Sequence, residues 1–504
     1  MGNKKVVERL LNEFLSTTNF KFACVIVFFC KANNYLNSSL IVKLLTVLLI
    51  GWGLAIIFRD IIGKKTILQF KYWKILLAFF ASYSITVFVN RDVAFFSNIR
   101  DAVWFFITIF LFVAFPIGNQ TAEVTESDKI FKLFLLLSFA FAAGSLIFVF
   151  TNTGGSDTYT WGFYANRLFG LYRSPNYGAV YSSVSLTISL YLLRWGACSQ
   201  KKIVFLIFNM VCQFLYIVYS GSNTGKVTLL VCLIMYFGYG IVFGDSIKMR
   251  LANSLLCIVS AVMVLFCIDI TKSLTVGIMN SLETKVSVSQ QQDQSISSSQ
   301  SASSSQTSQS SGTDKSESHE SVSIPVEKKE PVSVPPEDKS FDLERKDYGN
   351  GELGNGRVYN WKVSLRVFKE YPLFGTSMRK YSVVVKNYDN SWRIQNSHPT
   401  LENDFFSLLV CTGVVGLILF LLSIVPIMKT ILVGLWANRK SPGSVKTIWP
   451  ALSISVVIGI TTMFTDAVIF SNALQSVMFW ISLGYTYRLC LNELQKREKG
   501  YELY

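Results

Sequence analysis

The sequence predicts an all-α polytopic membrane protein of about 12 transmembrane helices, with one large extracellular loop between helices nine and ten. Three observations carry that expectation. Hydrophobic residues make up 51% of the 504 positions and charged residues 16%. Apolar runs recur at about twenty residues, the length a helix needs to cross a bilayer core. Between Thr271 and Asp404 lies the single large polar segment.

In chain order, candidate spans centre near Val25, Leu48, Phe80, Ile109, Leu137, Leu186, Phe208, Met235 and Val259, and then near Leu417, Val457 and Phe479. The expected organisation is a membrane bundle over 1–270, an extracellular loop over 271–404, further membrane helices over 405–490 and a cytoplasmic tail over 491–504. The first span is the weakest, because Lys31, Asn33 and Asn34 end it early. No small-residue cleavage site follows it, so it is expected to remain as an anchor, with the mature chain starting at Met1.

Cytoplasmic loops carry the excess of Lys and Arg. Lys4, Lys5, Arg9 and Lys21 fall on one side, with Arg59, Lys64, Lys65, Lys71 and Lys74, Lys201 and Lys202, Lys248 and Arg250. Lys429, Arg439, Lys440, Lys446, Arg488, Lys496, Arg497 and Lys499 join them, which puts both termini in the cytoplasm of a cell-membrane protein. Short loops of the other face hold few cations: Lys31, Arg91, Arg100, Arg167, Arg173 and Lys226. This asymmetry and contact with anionic lipid explain most of the net charge of +15, so nucleic acid is not an expected partner. All nine cysteines lie in or beside apolar runs, and no spacing suggests a disulfide framework or a metal site.

Within the loop, Ser287 to Ser323 is almost entirely Ser, Gln and small polar residues, and Pro325, Pro331, Pro335 and Pro336 follow. The stretch 287–340 cannot bury a core and is expected to be disordered, a tolerated insertion or a spacer reaching outward. His319 lies in it and is discounted. From Phe341 to Asp404 order is expected to return, in an active-site segment. Arg357, Trp361, Leu365, Arg366 and Phe368 recur at helical spacing, so Val358 to Tyr371 reads as an amphipathic helix at the membrane, stopped by Pro372.

Guanidinium forks match phosphate oxygens and stay charged, so Arg173, Arg357 and Arg366 are candidates for phosphate recognition, against snorkelling to lipid phosphates. His398, in Ser397-His398-Pro399, suits a general base near neutral pH, against a polar turn that starts a helix. Glu402 either orients His398 or caps the helix that follows, and capping is the expected role of Asp404. The turn Ser220 to Lys226 superficially resembles a nucleotide phosphate loop, but Ser220 stands where Gly is required and Val227 follows Lys226. Acidic groups fall at span ends (Asp245, Asp269, Asp466), which weakens an ion-coupled transporter.

The run Gly356, Arg357, Trp361, Phe368, Pro372-Leu373-Phe374-Gly375, His398, Leu401, Glu402, Gly413 and Gly416, set in this topology, resembles the O-antigen ligase and Wzy-type polysaccharide polymerase superfamily. The resemblance implies transfer of a glycan from a polyprenyl (undecaprenyl) diphosphate carrier to an acceptor hydroxyl on the outer face, with no metal, nucleotide or other cofactor. It implies that Arg357 and Arg173 hold the diphosphate and that His398, with Glu402, helps to deprotonate the acceptor. Implied partners are the lipid-linked oligosaccharide and membrane lipids, with a flippase and chain-length regulators beyond them. The turn after span seven departs from the family's Ser-x-Ser-Arg-Thr, with Asn223 at the arginine position. Lys226, three residues on, is the expected substitute.

A Ser/Gln-rich loop resembles Gram-positive surface proteins, which have no lipid A acceptor. The first reading is therefore a capsular or exopolysaccharide repeat-unit polymerase, and a ligase is the second. A lipid-linked oligosaccharide transporter and a structural anchor displaying the Ser-rich tract are the readings from other classes. Tyr159, Trp161, Tyr164, Trp361 and Trp392 suit sugar stacking and equally an interfacial aromatic belt.

Overall fold

A computed structural model of the chain describes residues 12–63, 65–115, 120–156, 158–196, 198–298, 341–343, 357–389 and 401–498, apart from the side chains of 283–298 and 442. The chain is an all-α polytopic membrane protein. Its main helices are α1 (Thr17–Lys31), α2 (Leu40–Ile62), α3 (Trp73–Val89), α4 (Phe95–Thr108, continued by the π-helical Ile109–Ala114), α5 (Gln120–Phe150), α6 (Pro175–Trp195) and α7 (Gln200–Ser220). Then come α8 (Asn223–Phe243), α9 (Ile247–Ser298), α10 (Arg357–Glu370), α11 (Met378–Val384), α12 (Asp404–Ala437), α13 (Pro442–Gly459) and α14 (Leu474–Glu498).

Every expected span centre falls inside a helix, from Val25 in α1 to Phe479 in α14. Among the described residues, 8 helices are long and apolar enough to cross a membrane: α2, α4 with its extension, α5, α7, α8, α9, α12 and α13. The others fall short for local reasons. α1 and α3 have only 15 and 17 residues. α6 is polar because protein, not lipid, surrounds it: it packs on α5, α7, α8 and α13, and Ser182, Ser183, Ser185, Thr187 and Ser189 are buried. Small hydroxylated residues let helices approach closely and bond across the contact. Ser183 Oγ lies 2.9 Å from Thr228 Oγ1 of α8, and Asn209 of α7 donates to Ser185 and Ser189 at 3.2 and 2.9 Å.

Two expected loop cations prove to be interior. Lys21 donates to Glu126 at 2.9 Å and Arg488 to Glu123 at 2.8 Å, with every one of these side chains at most 5% exposed. Arg488 also donates to the Phe112 and Val113 carbonyls, which the π-helical end of α4 leaves open. Lys21 and Arg488 therefore neutralise buried carboxylates and do not mark a cytoplasmic loop. The reason is that charges are kept in an apolar interior only when paired.

An unexpected three-stranded antiparallel sheet, β1 (Gly154–Ser156), β2 (Thr160–Tyr164) and β3 (Arg167–Gly170), precedes α6. Ala165 and Asn166 both adopt positive φ, 50° and 59°, the backbone of a tight two-residue hairpin.

The chain divides into two units, 1–269 with 344–504, and 270–343. The second holds the far part of α9, which continues past Thr271 to Ser298, where the sequence predicts that the chain has left the helix. Extending an existing helix costs one residue per hydrogen bond, so a polar tract can be carried on from an apolar one. In the same unit the Phe341 backbone N–H donates to Asn280 Oδ1 at 2.8 Å. The rest of the expected disordered tract, 299–340, lies outside the described residues.

Candidate functional site

α10 is amphipathic, as its spacing predicts. Val363 and Val367 of α10 form a core with Tyr381, Val384, Val385, Leu401, Val410 and Cys411. Trp361 stacks on Phe406 at 5.4 Å and donates its indole N–H to the Leu401 carbonyl at 3.0 Å. The loop helix is thereby fixed to the start of α12.

A broken helix completes the attachment. Gly413 interrupts α12 with φ 69° and ψ −175°. A break leaves carbonyls before it and N–H groups after it without helical partners. The turn after Pro372 takes up both sets. Thr376 and Ser377 donate to the Val410 and Cys411 carbonyls at 3.0 Å each, while Val414 and Val415 donate to the Pro372 and Leu373 carbonyls at 2.8 and 3.2 Å. From α3, Thr86 donates to the Phe374 carbonyl at 2.6 Å, and the side-chain amide of Asn90 reaches the Gly375 carbonyl at 3.1 Å.

On this frame Arg357 Nε donates to Glu402 Oε2 at 3.1 Å, the side chains being 20% and 33% exposed. Glu402 itself has φ 47°, a left-handed backbone at the lip of α12. Capping of α12 falls to Asn403, whose Oδ1 accepts from Phe405 and Phe406 at 2.9 and 3.1 Å. The expected capping role of Asp404 is corrected. Its fully buried carboxylate turns away and accepts from the Val468 and Ile469 backbone at 3.1 and 3.2 Å. An amide side chain of the same length one residue earlier reaches the first free N–H groups without bringing a charge.

The segment between α13 and α14 thus joins the site and brings Asp466. Loss of water around it and the neighbouring Glu402 carboxylate push the Asp466 carboxyl up to about 6. Tyr177, in the first turn of α6, lies within electrostatic reach of Asp466, Arg173, Asp404 and Glu402. Arg173, exposed just ahead of α6, therefore shares an end of the bundle with the Arg357–Glu402 pair.

The other candidates are placed differently. Arg366 is exposed and lies nine positions after Arg357, about half a turn out of phase on α10. Lys226 is half-buried in the first turn of α8, where its neighbour Gly225 packs on Ala179 of α6. The guanidinium seated at the turn that lacks an arginine at Asn223 is that of Arg167, from β3. It donates to the Ser220 carbonyl at 2.9 Å and to Asn176 Oδ1 at 3.0 Å. Sequence reasoning named Arg167 among the sparse cations of its face, but no spacing linked it to that turn. His398 lies outside the described residues, and no group of three or more potential metal ligands occurs among the described ones.

Residues 208–421 match the family model described as O-Antigen ligase, a span that runs from within α7 to the middle of α12 and includes Lys226, Arg357, Arg366, His398 and Glu402. No curated protein matches the chain. Over that segment, less than half of its length, the chain is similar to the O-antigen ligase and Wzy-type polymerase superfamily.

Proposed function

We propose that the protein polymerises polyprenyl-diphosphate-linked oligosaccharide repeat units into surface polysaccharide on the outer face of the cytoplasmic membrane. The observation that carries this reading is the Arg357–Glu402 pair, fixed to the lip of α12 by the stacked Trp361 and facing the end of α6 that bears Arg173.

In the transfer, the acceptor hydroxyl oxygen bonds to the anomeric carbon of the donor as the bond from that carbon to the diphosphate breaks. The diphosphate leaves with the electron pair, and the hydroxyl proton passes to His398. Charge grows on the leaving group, and fixed guanidiniums stabilise it most where water is scarce. Arg357 serves this step, held in place by Glu402. Arg173 serves it from across the site. Lys226 and Arg366 have weaker claims, since one is at the α8 turn and the other faces away from Arg357. The ligase alternative uses the same bond changes with a different acceptor, and the description of the matching family favours keeping it.

Polymer length on a gel tests the reading, in cells whose own copy is deleted and at matched membrane expression. Arg357→Ala is expected to slow transfer about 10²–10³-fold, and His398→Ala about 10²–10⁴-fold. Either would leave single lipid-linked repeat units. Full-length polymer from both variants would refute the catalytic assignment and favour a transport or structural role. A single pre-formed chain joined to a new acceptor, with no ladder, would mean ligase.

A further inference from the structure

We propose that Arg379 and Arg100, oriented by Asp101, join Lys31 and Arg173 in one anion site that holds the diphosphate of the lipid-linked donor. This deepens the transfer reading and rests on it for the identity of the donor.

The site is built around one carboxylate. Asp101 Oδ2 accepts from Arg379 Nε and Nη2 at 3.1 and 2.8 Å, while Oδ1 accepts from Arg100 Nε and Nη2 at 3.2 and 3.1 Å and from Asn472 at 2.6 Å. The Asp101 side chain is 9% exposed, and those of Arg100 and Arg379 are 45% and 49% exposed. A buried acid thus holds two guanidiniums by one edge each. Among the described residues their Nη1 groups have no hydrogen-bond partner, so the opposite edges are open to a ligand.

Two more cations border the pair. The Arg173 backbone N–H donates to the Ala32 carbonyl at 2.6 Å, and Asn33 donates to the Leu171 carbonyl at 2.8 Å. These bonds tie the segment before α6 to the end of α1, where Lys31 lies over the Phe28 ring at 4.5 Å. Lys31 feels the charges of Arg100, Asp101, Arg173 and Arg379 together. Two guanidiniums therefore hold Asp101 directly, and Lys31 and Arg173 border them. Like charges held this close repel, and a polyanion relieves the repulsion. Guanidinium forks match phosphate oxygens in pairs.

The cluster is also aimed. Arg379 stands in the first turn of α11, directly after the turn locked into the break of α12, and its backbone N–H donates to Asn98 Oδ1 of α4 at 3.1 Å. Ser377, just before α11, has φ 65°, a strained backbone at the point that directs Arg379. A lone arginine that snorkels to lipid needs no such support. These cations come from α1, α4, α11 and the segment before α6, and two of them, Arg100 and Arg379, are held by a single acid.

The test uses the full chain in phosphatidylcholine nanodiscs, with binding of undecaprenyl diphosphate, undecaprenyl monophosphate and phosphatidylglycerol read by native mass spectrometry. The diphosphate is expected to bind more tightly than the monophosphate. Arg379→Ala and Arg100→Ala should each weaken it about tenfold or more. Arg379→Lys, which keeps the charge and the fold, should fall between wild type and Arg379→Ala. Unchanged diphosphate binding in both alanine variants overturns the proposal. Equal competition by phosphatidylglycerol also overturns it and makes the cluster a lipid-headgroup site. Polymer assays of Arg357→Ala and His398→Ala separate the two failures: full polymer there sinks the transfer reading, whatever the diphosphate binding shows.

Discussion

At the residue scale, Glu402 and Asp466 are two acids of the candidate site with different surroundings. Glu402 is paired with Arg357, while Asp466 faces that pair without a cation of its own among the described residues. An acid whose pKa is raised by folding binds its proton more tightly in the folded chain. The folded state is therefore favoured at low pH and loses that advantage as pH rises from the ordinary value of 3.8 to about 6. Thermal unfolding midpoints of wild type and Asp466→Asn, measured across that window, should diverge as pH rises, with the wild type falling behind, and then run parallel above it. A constant difference at every pH would show that Asp466 does not titrate there. The helix that carries Arg357 and the helix start beside Glu402 were legible in the sequence because helical spacing and a helix start are local signals. Arg379 was not, because its partner Asp101 lies 278 residues away.

At the element scale, the site depends on the interrupted helix. Pro372 to Gly375 and Gly413 to Gly416 could be read as strings, but not as two halves of one hydrogen-bonded joint, since the bonds are between backbones and carry no side-chain signature. Two glycines make the joint possible. A Cβ on Gly413, at φ +69°, would lie 2.1 Å from the Leu373 carbonyl oxygen, and one on Gly375, at φ +71°, would lie 2.5 Å from the Cys411 carbonyl carbon. The positive-φ backbone alone costs a side chain about 1–3 kcal/mol, and the overlaps add to it. Gly413→Ala and Gly375→Ala should each sharply lower the yield of monodisperse protein in detergent and abolish polymer. Gly443, with nothing within 4 Å of its added Cβ, is the control, and Gly443→Ala should behave as wild type. Normal yield and polymer from Gly413→Ala would mean that the joint is dispensable. The serine-rich α6 was expected and is a helix, though not one of the eight long and apolar enough to cross a membrane, whereas the sheet before it was missed, because Ala165-Asn166 lacks the Asn-Gly pairing that announces a tight hairpin.

At the scale of the whole molecule, the chain is closed by charge at the end opposite the candidate site. α1 and α5, from the first third of the sequence, and α14, from its end, meet at Lys21, Glu126, Glu123 and Arg488. The charge bias of the loops made Lys21 and Arg488 look like loop markers; only the fold shows that each cation has a buried acid. Such a network contributes little over a well-packed apolar core, yet breaking it from one side is costly, because the abandoned charge stays buried. Lys21→Met should therefore destabilise the protein by about 3–5 kcal/mol. Adding Glu126→Gln should restore most of that loss. The amide has no charge to strand: its carbonyl accepts from one of the two hydroxyls that donate to Glu126 in the native chain, Thr18 on Oε2 and Tyr485 on Oε1, and the other hydroxyl turns to accept from its amino group. The measurement is the thermal midpoint of detergent-purified protein followed by fluorescence-detected gel filtration, for both single variants and the double. A double variant less stable than either single one would mean that Lys21 and Glu126 contribute through their separate contacts, and that the closure of the bundle does not depend on their pairing.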